Sequence, residues 1–435
     1  MIFYSTNKSS VPASLKKATL EGLAPDGGLY VPSEIPVFSP GELELLQDAP
    51  FTDVAFAIAK KFAGEEVPHD RLYSIIEECY TFDTPLHKLE GKTFIEELFH
   101  GPTLAFKDYG ARFLARMTGF FAEEDQKMIT ILVATSGDTG SAVAYGFQGI
   151  ANTRVVLLYP SGKVSRLQEQ QLTTAGGNVT ALEVNGDFDD CQRMVKQAFM
   201  DQDTRRRLTL TSANSINISR LIPQTFYYAW AALKLSKEHN GRKVVFSVPS
   251  GNYGNLTAGV LAMKMGFPIS HFIAAANANN SVTRYLDEGR YEPKPTVRTL
   301  STAMDVGNPS NFARLQHIYH HNALEMAHDI SGYSTSDSET LATIQEVYDR
   351  YNYIMDPHTA VGYHSLEAWK RTHRTDDPTV VLSTAHPAKF IESIEDALGI
   401  EIPIPERLQS VLDKKKETTP IGASYRDLAI FLESL

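Results

Sequence analysis

Cysteine is nearly missing from this 435-residue chain: only Cys79 and Cys191 are present, far apart, each within a helical pattern. That excludes a disulfide framework and a cysteine-built metal site, and two buried thiols in a reducing compartment are expected. Long apolar runs are missing too. No stretch approaches the ~18 apolar residues of a membrane span, and the opening "MIFYSTNKSSVPASLKK" lacks the apolar core of a signal peptide. A cytoplasmic protein with no membrane partner is expected. Nor is there a surplus of positive charge, since 41 basic against 52 acidic residues leave a formal net charge of -11. Nucleic acid and anionic membranes both require basic surface and are disfavoured as partners. Any anionic ligand must be held by local geometry.

At this length the chain exceeds a single core, because cores stop growing near ~250 residues. From about residue 128 short β-branched runs alternate with longer helical patterns, the signature of a mainly parallel α/β sheet covered on both faces. Strands are expected at 128–135, 153–160, 179–186, 208–214, 243–250, 271–278 and 379–385. The segment "NISRLIPQTFYYAWAALKLSKEHNG" reads as one helix from a capping Asn217 to Gly241, with Pro223 in its first turns, linking two α/β halves. The first 95 residues, rich in Pro and Gly turns, read as a separate N-terminal unit. The division expected is 1–95, 96–230 and 231–435, with the parts interleaved. The stretch "LDKKKETTP" reads as a solvated loop.

In open parallel sheets ligands bind beyond the carboxyl ends of the strands. Three loops there carry chemistry. After "ILVAT" comes "SGDTGSA", in which Ser136, Asp138 and Thr139 offer hydroxyls and helix-start amides to a carboxylate or phosphate. After "VVFSVPS" comes "GNYGN", that is Gly251, Asn252, Tyr253, Gly254 and Asn255, whose glycines permit close approach of a phosphate to a helix N-terminus. The turn matches neither the dinucleotide fingerprint nor the Walker lysine pattern. The third loop, "LSTAHPAKF", ends the last strand with Ser383 and Thr384. Upstream, "FHGPTLAFKDYGARF" sets Lys107 in a bent, aromatic turn at a helix start, where Phe106 and Tyr109 would desolvate its amine and lower its pKa from about 10.4. Two anion cradles, a lone lysine and a neutral hydroxyl site suit pyridoxal 5'-phosphate. By contrast, His317, His320 and His321 of "HIYHH" lack accompanying acids or cysteines and read as solvated. "TRRRL" reads as an exposed face, no nucleophile elbow is present, and His386 reads either as a packing residue or as one that supports the site from behind Thr384.

The segments "ATLEGLAPDGGLYVP" (18–32), "GPTLAFKDYGARF", "ATSGDTGSA", "NSINISR" and "SVPSGNYGN" resemble the threonine synthases of bacterial and fungal type. These belong to the fold type II pyridoxal-phosphate enzymes, which are tryptophan synthase β-like. The resemblance spans nearly the whole chain, and "GLAPDGGLYVP" is its most specific element because sister dehydratases and cysteine synthases lack it. It implies two mainly parallel α/β/α domains plus an N-terminal unit, and a carbon–oxygen lyase acting on phosphate. It further implies that O-phospho-L-homoserine and water become L-threonine and phosphate. By motif, Lys107 would bond the cofactor aldehyde, "GNYGN" would cradle the cofactor phosphate, and Thr384 would face the pyridine nitrogen. Ser215, Asn217 and above all Arg220 of "NSINISR" would take the substrate phosphate, and Ser136 and Thr139 its carboxylate. Asp138 departs from the Asn of many relatives. A monomer or weak homodimer is expected. The rivals are a sister β-replacement enzyme or dehydratase, and a silent relative that only binds phosphorylated ligands.

Overall fold

The computed structural model describes residues 1–135 and 137–435. In chain order its strands are β1 (Phe3–Ser5), β2 (Tyr30–Pro32), β3 (Leu86–Glu90), β4 (Thr93–Glu97), β5 (Ile129–Ala134), β6 (Thr153–Pro160) and β7 (Val179–Val184). They continue with β8 (Thr209–Thr211), β9 (Val244–Pro249), β10 (Ile269–Ala276), β11 (Ile330–Ser334), β12 (Thr379–Ser383) and β13 (Thr419–Ile421). β1 and β2 form a small antiparallel ribbon, and the others build two sheets of order β13-β7-β6-β5-β8 and β11-β10-β9-β12-β4-β3. Every described pairing in these two sheets is parallel except β3 with β4.

The apolar runs form buried strands because both their faces are covered. In β6, Val155, Leu157 and Tyr159 enter one core cluster while Val156 and Leu158 enter another on the opposite face. All seven strands expected from the sequence appear within a few residues of their expected limits. The structure adds the β1–β2 ribbon and, in the two larger sheets, β3, β4, β11 and β13. The boundary expected at residue 95 falls inside β4, which lies beside β12 in the six-stranded sheet, and β13 returns to pair with β7 in the five-stranded one. The chain therefore crosses between the sheets after β4, β8 and β12. The linking helix expected as one piece is two, Ile218–Leu221 and Gln224–Glu238, broken at Pro223, which has no N–H to continue the ladder. Within "LDKKKETTP", Lys416 pairs with Glu169 and Glu183 at 2.6 and 2.9 Å, so this segment is tied down.

The N-terminal unit does not keep a core of its own. Val54, Ile58 and Phe62 of the Phe51–Ala63 helix share one cluster with Tyr109, Phe113 and Tyr227. Glu96 points into this cluster. It lies on the same face of its strand as Phe94 and Leu98, is fully buried, and neither of its carboxyl oxygens has a hydrogen-bond partner among the described residues. Burial raises its pKa well above the usual range, and its charge is felt by Tyr109, Tyr227 and Tyr228.

A raised folded-state pKa means that the folded chain holds the Glu96 proton more tightly than the unfolded chain. The resulting stability is fully present below the unfolded pKa and is lost as pH rises. Glu96→Met, which fills similar volume without polar atoms, should raise stability by ~1–3 kcal/mol. Thermal unfolding at pH 5 and pH 8 should show the gain growing with pH, and a gain equal at both would contradict an uncompensated carboxyl.

Candidate active site

The segment between β4 and Lys107 is stitched to the end of β12. Leu98 N donates to Ser383 O at 2.9 Å, Phe106 N to Thr384 O at 2.9 Å, and His386 N to Leu104 O at 3.1 Å. Asp108 closes the turn from inside, accepting from Thr103 N and Thr103 Oγ1, both at 2.8 Å. Burial pushes this acid up to about 6 even against those bonds. Gly101 is required there, since a Cβ would stand 2.4 Å from Asp108 Oδ2. Lys107 then opens the Lys107–Glu124 helix. Burial lowers the pKa of its amine, and the cations Lys389 and Arg220 reinforce the shift against the opposing pull of Asp138. Tyr109 is not part of this environment. Two residues along a helix is a turn of ~200°, and its ring packs with Phe51, Tyr80, Phe82 and Tyr227.

The turn after β5 leads into the Asp138–Phe147 helix. Ser136 lies outside the described residues. Thr135 Oγ1 accepts from Gly137 N and Gly140 N at 3.2 and 2.9 Å, so these two amides are used internally. The Asp138 carboxylate meets Lys389 Nζ at 2.7 Å, with both side chains buried. Burial alone would raise the acid, but Lys389 and Lys107 hold it well below the usual carboxylate range. Lys389 also donates to Thr103 O at 2.9 Å and Gln171 Oε1 at 3.3 Å. Asp138 is thus committed to a lysine that sequence reasoning did not place in the site. Thr139 follows on the same helix start, half-buried.

After β9, Tyr253 takes the left-handed conformation at φ 60° and the Gly254–Lys264 helix begins. A Cβ on Gly251 would stand 2.8 Å from Ala303 O, and one on Gly254 would stand 3.3 Å from Asn311 Nδ2. The glycines therefore admit the neighbouring 303–311 segment. Asn252 Nδ2 donates to Ser215 Oγ at 2.7 Å and its Oδ1 accepts from Ser310 N at 2.6 Å. Asn255 turns inward, donating to Pro249 O and accepting from Leu256 N. Tyr253 is buried, its hydroxyl unpartnered among the described residues. The helix-start amides, with their partial positive charge, are what this turn offers to an anion.

The "NSINISR" segment comes to the same place, as the Asn252–Ser215 bond shows. Asn217 spends its side chain on structure, accepting from Ser219 N and donating to Thr19 O, both at 2.9 Å. Its cap signal was legible, but the same fact removes it from ligand contact. Arg220 is buried. Its Nη1 donates to Ala213 O at 2.6 Å, its Nε has no partner among the described residues, and burial pulls it down to about 10. Gly110, one turn into the Lys107 helix, lets it approach, for a Cβ there would sit 3.0 Å from Arg220 Nε.

Behind Thr384 runs a buried polar chain. Ser383 Oγ bonds Thr359 Oγ1 at 2.8 Å, Thr359 bonds Asp356, and Asp356 accepts from His358 Nδ1 at 2.6 Å. His358 Nε2 accepts from Ala303 N, so the network reaches the segment that packs on Gly251. His386 accepts from Ala388 N and packs on Phe99, and burial lowers it to about 4, a neutral cap. Among the described residues no group of three acids, histidines or cysteines could hold a metal, and no helix is long and apolar enough to cross a membrane. A cleft of about 810 Å³ is lined by Phe99, His100, His386 and Arg407 and by none of the residues expected to bind cofactor or substrate.

Lys107, Asp138, Arg220, Asn252, Ser215 and Thr384 thus come from three strand ends and two crossings into one region. The pyridoxal-phosphate dependent enzyme family matches residues 80–385, the threonine synthase N terminus residues 2–80, and the threonine synthase C-terminal family residues 359–429. The threonine synthase of Serratia marcescens is 42% identical over 435 residues, covering 100% of both chains. Among solved structures, the threonine synthase of Brucella melitensis with pyridoxal phosphate bound superposes with a TM-score of 0.94 at 36% identity, covering 100% of this chain and 99% of that one. The yeast enzyme does so with a TM-score of 0.92 at 34% identity, covering 99% and 98%. Full-length likeness of this kind, in sequence and in fold, means that the chain belongs to the threonine synthase family of pyridoxal-phosphate-dependent enzymes.

Proposed function

We propose that the residues gathered around Lys107 bind pyridoxal 5'-phosphate and O-phospho-L-homoserine and, with water, release L-threonine and phosphate, the last step of threonine biosynthesis. The observation that carries this reading is a pair: a primary amine of lowered pKa, beside a buried guanidinium whose Nε has no partner. The amine suits the cofactor and the guanidinium suits a dianionic substrate.

The residues present fit the cofactor. The helix start at Gly254 presents backbone amides to its phosphate, Lys107 supplies the amine for its aldehyde, and Thr384 stands beside Lys107 through the Phe106–Thr384 backbone bond. When bound, pyridoxal phosphate supplies an aldehyde that bonds an amine and a ring that takes up the electrons left when a neighbouring carbon loses its proton. Lys107 would carry the cofactor's aldehyde and, when free of it, would be the base that moves the substrate's Cα and Cβ protons, and burial, which lowers its pKa, favours the neutral amine that this role needs. A hydroxyl at Thr384, rather than a carboxylate, would not protonate the ring nitrogen of the bound cofactor, which would favour elimination and replacement over transamination. Arg220 Nε and the Ser215 hydroxyl take the substrate phosphate and stabilise it as it leaves. The substrate carboxylate falls to Ser136, Thr139 and nearby amides. Asp138 keeps Lys389 in place instead of touching an anion of its own sign.

Lys107→Ala should fold but lose covalent attachment of the cofactor. Borohydride reduction followed by mass spectrometry should find the adduct on Lys107 in the parent chain, and an adduct on Lys163 or Lys389 would sink the assignment. Arg220→Ala should retain cofactor while losing on the order of 10²–10³ in turnover of phosphohomoserine, or ~3–4 kcal/mol. Arg220→Lys should recover only part of it, having charge without the planar fork. Phosphate release assays decide this, and near-normal release by Arg220→Ala would remove that residue from the site.

A further inference from the structure

Arg314, in the Phe312–Ile318 helix, has no exposed surface. Its Nε donates to Tyr30 O at 2.9 Å, its Nη1 to Asn311 Oδ1 at 2.7 Å and its Nη2 to Ile216 O at 2.6 Å. All three acceptors are neutral. Burial alone acts on its proton affinity, pulling it down to about 9, and no carboxylate opposes this. A buried cation without a counter-ion is costly to keep. Its position suggests what compensates it.

The contacts of Arg314 converge on the Ser215 segment, which adjoins the turn after β9 through the Asn252–Ser215 bond. Asn311, which it holds, donates weakly to Ser215 O at 3.5 Å, and its Nδ2 is the atom that faces Gly254. Ile216, which it also holds, lies between Ser215 and Asn217. From the other end Arg220 grips Ala213 O. Two buried guanidiniums thus clamp residues 213–216, and among the described residues neither is paired with a carboxylate. The outer side of the segment is braced by the N-terminal unit, through Thr19 Oγ1 to Ser219 Oγ at 2.6 Å, Asn217 to Thr19 O, and Tyr30 O on Arg314 itself. The motif "GLAPDGGLYVP" ends on this brace.

We infer that Arg314 is a positioning residue for the substrate's phosphate, holding Ser215 through Ile216 and Asn311 and lending that subsite a second buried positive charge. The inference rests on the reading that Arg220 and Ser215 take this phosphate. A purely structural brace would need the hydrogen bonds alone, whereas this role also needs the charge, and two substitutions separate the two. Arg314→Gln keeps some hydrogen bonding and loses the charge, while Arg314→Lys keeps the charge and loses the fork.

Inorganic phosphate is titrated into the holoenzyme of each variant, and binding is read by calorimetry beside the unfolding temperature without phosphate. The expected result is phosphate affinity reduced at least ~10-fold in Arg314→Gln and less in Arg314→Lys, with KM for phosphohomoserine raised in the same order and cofactor content unchanged. Affinity in Arg314→Gln within twofold of the parent would overturn the inference, as would loss in Arg314→Lys equal to that in Arg314→Gln. Should Arg314→Gln fail to fold, Arg314→Lys decides alone: affinity closer to the parent's than to that of Arg220→Ala supports the charge, and the reverse refutes it. If Arg220→Ala also binds phosphate normally, the reading of the subsite fails. If only Arg314→Gln does, this inference fails by itself.

Discussion

One buried ion pair, Asp138 to Lys389 at 2.7 Å, joins the two sheets at the site. Asp138 begins the helix after β5 and Lys389 lies on the crossing after β12, so the pair spans the two halves that the chain visits in alternation. Burying two charges is offset only when their remaining donors are satisfied. Lys389 meets that condition through Thr103 O and Gln171, and Thr103 is in turn held by Asp108. The Lys107 loop is therefore fixed by two carboxylates, one behind it and one across the interface. Removing either member of the pair leaves an unpaired charge inside the protein, a loss on the order of 3–5 kcal/mol.

The electrostatics run against the composition. A chain of net charge -11 gathers Lys107, Lys389, Arg220 and Arg314 in and around one buried region, with Asp138 and Asp108 as the acids beside them. Burial lowers the proton affinity of both Lys107 and Arg220; the neighbouring cations Lys389 and Arg220 add to the effect at Lys107, while Asp108 opposes it at Arg220. That imbalance suits a site whose ligands bring a cofactor phosphate, a substrate phosphate and a substrate carboxylate. Local geometry, with no help from the overall charge, has to supply this attraction.

Features written in consecutive residues were legible. The parallel strands, the Lys107 turn, the Asn217 cap and the glycine turn after β9 could all be read from short stretches. Other features exist only through contacts distant in sequence. Lys389 reads as one more lysine until the crossing after β12 brings it to Asp138, and Arg314 is silent until its helix meets Tyr30 and Ile216. The same limit explains β4, a short acidic strand filed with the N-terminal unit because its partner β12 is encoded far downstream. Side-chain direction was also hidden. Asn217 and Asn255 belong to motifs that suggest ligands, yet both turn to the backbone, and Tyr109 faces away from the amine it was expected to shield.

Beyond joining the halves, the Asp138–Lys389 pair adjusts a proton affinity at Lys107 that burial has already lowered, the acid raising it and the lysine lowering it. This adjustment is tested most directly by titrating the visible absorbance of the cofactor-loaded enzyme with pH, in the parent, in Lys389→Met, and in the double variant Asp138→Asn with Lys389→Met. Losing the cation alone leaves Asp138 uncompensated beside Lys107, so the midpoint should move upward by about 1–3 pH units, and removing both charges should bring it back toward the parent value. A midpoint unchanged in Lys389→Met, with the cofactor still attached, would contradict the account.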